Sequence, residues 1–234
     1  MSDSNSAIFQ TIVSRRLKNE IEIRLLEQFH KRVQFKLWAA KQFLSNMKRL
    51  ERRHGALTYP QTINRTELNL DAFLYEVVGA LDPLLQEINI AFRCNLEIQN
   101  VNLESIIPKI PKGSQLREKL GKLNGDSSGW FWKLREYRNH SAHRSQIRFF
   151  SIGTVKLSPI QPTDSSVVHL ECDKITNVYL IDDQRDFTHG DRSKYEVIPY
   201  CTRSVVNMKR LVDEIYQICT KELNKEHHLD HQTI

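Results

Sequence analysis

From Ala7 to His54 the chain has neither a proline nor a glycine, so nothing in that stretch breaks a helix. Cysteine is scarce and scattered. Cys94, Cys172, Cys201 and Cys219 form no paired metal-ligand spacing and no compact disulfide framework. That excludes a zinc ribbon and a disulfide-stapled secreted scaffold, and free thiols in a reducing cytoplasm are the expected state. No apolar run is long enough to span a bilayer. The start, Met1-Ser2-Asp3-Ser4-Asn5-Ser6, lacks the apolar centre of a signal peptide. The expected location is the cytoplasm, with no membrane partner. The aspartates after residue 160 are not spaced like a calcium loop, and turn chemistry accounts for them better. The His-rich tail, Glu226-His227-His228-Leu229-Asp230-His231, does not carry the zinc-protease spacing. No internal repeat is present.

Acid is also nearly absent between His30 and Gly55. That segment holds Lys31, Arg32, Lys36, Lys41, Lys48, Arg49, Arg52 and Arg53 against Glu51 alone, a local charge of +7 in a chain whose net charge is +6. A second basic cluster, Lys133, Arg135, Arg138, Arg144 and Arg148 against Glu136, carries +4. Between Pro159 and Tyr200 the balance is acidic. Two basic clusters with Trp38, Trp130 and Trp132 nearby fit a polyanion such as RNA. A solvated helix face accounts for such charge runs equally well.

At 234 residues, 40% hydrophobic and 26% charged, the chain has the composition of an ordinary globular protein with a real core. It reads as one sizeable domain or one domain with an insert. Apolar residues at Ile8, Ile12, Ile21, Leu25, Phe29, Val33, Leu37, Leu44 and Met47 recur at mostly helical spacing. One very long helix and two in series both fit, with Gly55 as the stop. A further helix is expected from about Thr66 to Phe92, capped by Thr66 or Asn69 and kinked at Pro83. Short helices are expected near Leu103–Ile107 and Ser114–Leu123. The next helix should start near Asp126 to Ser128 and end near His143 or Arg144. Strand-like patterns then follow at Ile147–Leu157, Val167–Cys172 and Thr176–Ile181. A last helix covers about Thr202 to Asn224. Residues 1–6 are expected to be a disordered start, about 146–200 a β-rich insert, and about 225–234 a flexible tail.

The stretch from Trp132 to Arg144 holds the densest chemistry. An arginine grips a phosphate with two prongs, a histidine moves protons near neutral pH, and an amide fixes either one. On a helix Arg135, Asn139 and His143 share one face, and Arg138 stands about 100° from Asn139. Phe131 and Leu134 would anchor the helix in a core. A loose Arg-then-His pattern is uninformative, since Arg24 with His30, Arg49 with His54, and Arg135 with His140 all satisfy it. The strict pattern Arg-Asn-x-x-x-His occurs once, at Arg138-Asn139-x-x-x-His143. With 18 Arg, 14 Asn and 9 His, chance expects about 0.04 occurrences. The rival explanation is a polar helix end.

This motif, late in a helix-rich chain and before a final helix, resembles the HEPN superfamily (higher eukaryote and prokaryote nucleotide-binding domains). The resemblance implies a mainly α, HEPN-like helical bundle with long N-terminal helices, the β-rich insert after the motif helix, and a C-terminal helix. It implies a dimer and metal-independent endoribonuclease activity without a cofactor, with Arg138, Asn139 and His143 as the working residues. Some HEPN toxins carry a tyrosine two residues after the histidine, which a partner enzyme modifies. Ser145 stands there in this chain.

The chemistry would be attack by the RNA's own 2′-hydroxyl on the adjacent phosphorus. His143 would transfer a proton, its ordinary pKa being about 6.5. Arg138 would hold the phosphate and its growing charge, and Asn139 would orient them. One histidine cannot serve as base and acid in one step, so the implied dimer supplies a second His143. Arg135, Arg144, Lys48, Arg49, Arg52 and Arg53 are the expected RNA contacts. An antitoxin or regulatory protein is a further partner consistent with the resemblance. Three rivals remain: a non-catalytic RNA- or nucleotide-binding module, a purely structural helical protein, and a metal enzyme using His227 and His231.

Overall fold

A single amide divides the proline-free N-terminal stretch in two. The computed structural model describes residues 3–54, 63–143, 149–157, 170–181 and 194–230, with side chains for 5–53, 64–139 and 197–225. Helix α1 spans Asp3–Arg16 and α2 spans Glu20–His54. Between them the Asn19 side chain accepts from the Ile21 N–H at 2.9 Å. Glu20 and Glu22 follow in the first turn of α2, where negative charge offsets the positive helix end. Two helices in series is therefore the arrangement formed. Residues 3–6, expected to be disordered, are the first turn of α1. Ser6 is buried, so packing holds that turn.

The chain is mainly α. A single kinked helix was the expectation for Thr66–Phe92, but two form: α3, Ile63–Gly79, and α4, Leu81–Ala91. Pro83 has no N–H to give the Gly79 carbonyl, so the helical ladder breaks ahead of it, and Pro83 falls in the first turn of α4, where no donor is needed. Ala80 between them keeps helical dihedrals, φ −67° and ψ −22°, so the break is slight. Thr66 and Asn69 lie inside α3 and do not cap it. Gly79 earns its place by proximity: a Cβ there would stand 2.9 Å from the Lys36 ammonium.

After α4 the chain reverses through Arg93 and Asn95, both left-handed with φ +49° and +55°. Buried Asn89 clamps this reversal. Its side chain accepts from the Leu96 N–H at 3.1 Å and donates to the Leu96 carbonyl at 2.9 Å. Helix α5, Leu103–Ile106, opens on a reciprocal cap between Asn102 and Ser105. Helix α6 is Gln115–Gly125. Ser114 caps it by accepting from the Arg117 N–H, and donates to Glu222 at 2.8 Å. Helix α7 is Trp130–His143. Its approach is set by Asp126, which accepts from both the N–H and the hydroxyl of Ser128.

Three strands follow: β1, Phe149–Leu157, β2, Leu170–Ile181, and β3, Lys194–Glu196, in one antiparallel sheet ordered β1-β2-β3. The described part of the segment read as 167–172, from Leu170 on, and the segment read as 176–181 belong to the single strand β2, because Lys174 and Ile175 between them also pair with β1. The register shifts between Ile152 and Gly153 and again between Thr154 and Val155, which leaves Thr176 and Asp173 as the extra residues on β2. Helix α8 runs Val197–Asp230, longer at both ends than expected. Pro199 lies in its first turn, where it is tolerated, and the expected loose tail is helical as far as Asp230. Its side chains from 226 onward lie outside the described residues, as do 231–234.

By contacts the chain forms two compact units. One is Met1–Ala40, Leu74–Arg138 and Ser204–Ile234; the other is Lys41–Phe73 and Asn139–Arg203. The first buries Phe9, Leu26, Leu74, Leu84, Leu85, Ile88, Leu120, Leu134, Ile215 and Tyr216 almost completely. Each such side chain contributes roughly 1.5–3 kcal/mol of hydrophobic stabilisation. The second buries Leu44, Met47, Leu70, Phe73, Val197, Tyr200 and Cys201.

Candidate functional site

Helix α7 is seated by Phe131, Leu134 and Tyr137, all buried and three residues apart, as one helix face requires. Arg135, Arg138 and Asn139 flank that face and are half-buried. The division into units falls immediately after Arg138, so Asn139 and His143 are counted with the second unit. The backbone of His143 is the last residue of α7; its side chain lies outside the described residues, as do that of His140 and all of Arg144 and Ser145.

In the first unit Arg138 has a definite setting. Its guanidinium stands over the Tyr75 ring, 5.9 Å from the centroid. Lys36 also faces Tyr75, at 4.6 Å, and pairs with Glu76 at 3.2 Å. Lys36 is only 6% exposed, so this member of the basic run is a core residue with a counterion rather than a solvated charge. Arg135 lies over Phe131 at 6.0 Å and reaches the Asn124 side-chain oxygen at 3.5 Å. Asp82 sits amid these cations. Its side chain reaches solvent, yet crowding by protein on its inner side raises its pKa, against the lowering pull of Arg138 first, then Lys36 and Arg135. A carboxylate beside three cations sets the field that any anion approaching Arg138 meets. Sequence reading missed Tyr75, Glu76 and Asp82, because nothing in their spacing ties them to α7.

The rest of the basic run between His30 and Gly55 divides. The Arg52 Nε folds back to donate to the Lys48 carbonyl at 3.3 Å. Arg49 and Arg53 line an open groove of about 220 Å³ with Asn46, Leu50, Arg65, Leu68 and Asn69. Arg65, on α3, was not among the expected contacts.

A third constellation lies in the core of the first unit. Glu87 is fully buried. It accepts from the Tyr216 hydroxyl at 2.9 Å, and His30 Nδ1 lies 3.3 Å from its other oxygen. Tyr216 Oη and His30 Nδ1 are 3.2 Å apart. Burial pushes the Glu87 carboxyl up, against the hydrogen bond and charge of His30 and the Tyr216 hydrogen bond. Burial first, then the Glu87 charge, hold the Tyr216 hydroxyl far above its ordinary range.

Among the described residues no group of three or more His, Cys, Asp or Glu could hold a metal ion. No helix among them is long and apolar enough to cross a membrane. No family model, no curated protein and no solved structure matches the chain.

Proposed function

We propose that the chain is a metal-independent endoribonuclease of the HEPN type, a helical bundle with its β segment inserted after the motif helix. The observation that carries this reading is Arg138-Asn139-x-x-x-His143 at the end of one continuous helix, with Arg138 half-buried over Tyr75. In this reading Arg138 grips the scissile phosphate and Asn139 orients it. His143 takes the 2′-hydroxyl proton, the 2′ oxygen bonds to phosphorus, and the bond to the 5′ oxygen breaks. A second His143, from a partner copy, protonates the leaving oxygen, so the active form is a homodimer. RNA is the substrate, Arg135 and Arg144 are further contacts, and an antitoxin or similar regulator would act in the cytoplasm beside it.

The test is cleavage of RNA by the purified protein in excess chelator, with a cyclic phosphate left on the product. His143→Ala should lower the rate by at least about 100-fold, the usual contribution of a general acid or base, while the melting profile stays that of the parent. Cleavage at the parental rate by that variant would refute the assignment. A second reading, RNA binding without turnover, is favoured by the arginine groove on α2 and α3. It predicts tight, salt-sensitive binding and no product.

A further inference from the structure

We infer that the groove formed by Asn46, Arg49, Leu50 and Arg53 on α2 with Arg65, Leu68 and Asn69 on α3 is a phosphate-binding site for single-stranded RNA. The inference deepens the functional reading by assigning RNA a docking groove, and it does not depend on cleavage.

Three arginines line this groove, and no carboxylate is among its lining residues. All three are exposed. Among the described residues no carboxylate pairs with these arginines; like charges so gathered repel one another, and a bound anion relieves that repulsion. The first turn of α3 adds to the positive field, since it carries no acid and places Arg65 near the positive helix end.

The site is also built. The Arg49 guanidinium donates to the Asn46 side-chain oxygen at 2.9 Å. Asn46 donates to the Asn69 side-chain oxygen at 3.1 Å, and Asn69 donates to the Arg65 carbonyl at 2.6 Å. This chain of amides holds one prong of Arg49 and leaves its other donors for a ligand.

The geometry favours a strand of phosphates over a lone anion. Arg49 and Arg53 are one helical turn apart, roughly 6 Å between side-chain roots, a spacing that neighbouring phosphates can match. Leu50 is half-buried and Leu68 is 69% exposed, giving the groove an apolar surface on which a ribose or base can lie. A second copy of the chain fits poorly, because a two-fold contact would set these arginines against themselves. Contacts of this kind position a nucleic acid without reading its sequence.

The experiment is fluorescence anisotropy with an end-labelled single-stranded RNA, run on the full chain carrying His143→Ala so that the probe survives. Arg49→Ala with Arg65→Ala should weaken binding ten-fold or more. It should also flatten the dependence of log affinity on log salt by about 1.4, the loss of two phosphate contacts on a single strand. Arg24→Ala with Lys221→Ala removes the same charge elsewhere and should change affinity less than two-fold. Arg49→Lys with Arg65→Lys keeps the charge but not the fork, and should fall between, which preserves the test if the alanine pair fails to fold. Equal losses from the groove and control pairs would overturn the site, as would parental affinity in the groove pair. Loss of binding to phosphatidylserine vesicles with RNA binding intact would overturn it in favour of a lipid surface. Cleavage by the His143→Ala chain would sink the catalytic reading and leave the groove standing, so the two failures are distinguishable.

Discussion

Glu87 and Arg49 are both ionisable side chains held by hydrogen-bonding partners, yet they face opposite demands. Glu87, in the first unit, is sealed from water and meets Tyr216 and His30 at its two oxygens. Arg49, in the second, is exposed and has one prong fixed by Asn46. The first arrangement satisfies its charge internally, and so its value is to stability. The second leaves donors pointing outward beside two more arginines, and so its value is to a ligand. The difference is where the compensating charge comes from: inside the fold, or from something that binds.

That contrast is best broken at Glu87. Glu87→Ala should cost about 3 kcal/mol, because it strands a buried hydroxyl and an imidazole. Urea denaturation measures this, and Glu87→Gln, which retains an acceptor, should cost less. RNA affinity of the folded fraction should not move; if it falls with stability, the two regions are not functionally separate.

Alkali probes buried groups in both units. Burial raises the thiols of Cys201 and Cys219 and the hydroxyl of Tyr216. Each holds its proton more tightly in the fold than in the unfolded chain. The stability each contributes is therefore complete below its unfolded pKa and is lost as pH climbs past it, from about pH 8.5 for the thiols. The expected slope is about 1.4 kcal/mol per pH unit for each proton the unfolded chain gives up. Melting temperatures at pH 7, 9 and 10 should fall in order, and a flat profile would contradict the burial argument. The smallest effect belongs to the groove. Arg53→Ala should shift unfolding free energy by no more than about 0.5 kcal/mol, as exposed substitutions do. A larger loss would mean that Arg53 is part of the scaffold.

These regions also differ in how far the sequence discloses them. The apolar stripes of α3, α4 and α8 were visible in the chain, and Phe131 and Leu134 were legible as the anchors of α7, whereas Thr66 and Asn69, expected as caps, lie inside α3. The break at Ala80 was placed at Pro83 instead, because a proline shows its effect one turn earlier, at the carbonyl it cannot serve. Helix α8, expected from about Thr202, starts at Val197 with Pro199 in its first turn. The Glu87 network was illegible: its partners lie 57 and 129 residues away, and no local pattern links them. Lys36 looked like part of a solvated run until Glu76 and Tyr75 were placed beside it. Arg65 was hidden because a lone arginine gains meaning only from the helix opposite.

The buried cysteines turn the fold into its own stopwatch. Cys94 and Cys219 lie in the first unit and Cys201 in the second, all three enclosed and free. A thiol shut away from reagent can be alkylated only when its surroundings open. Peptide-resolved labelling over time would thus report the breathing rate of each unit separately, with no probe introduced. Repeating the measurement with RNA bound would show which unit the ligand quietens.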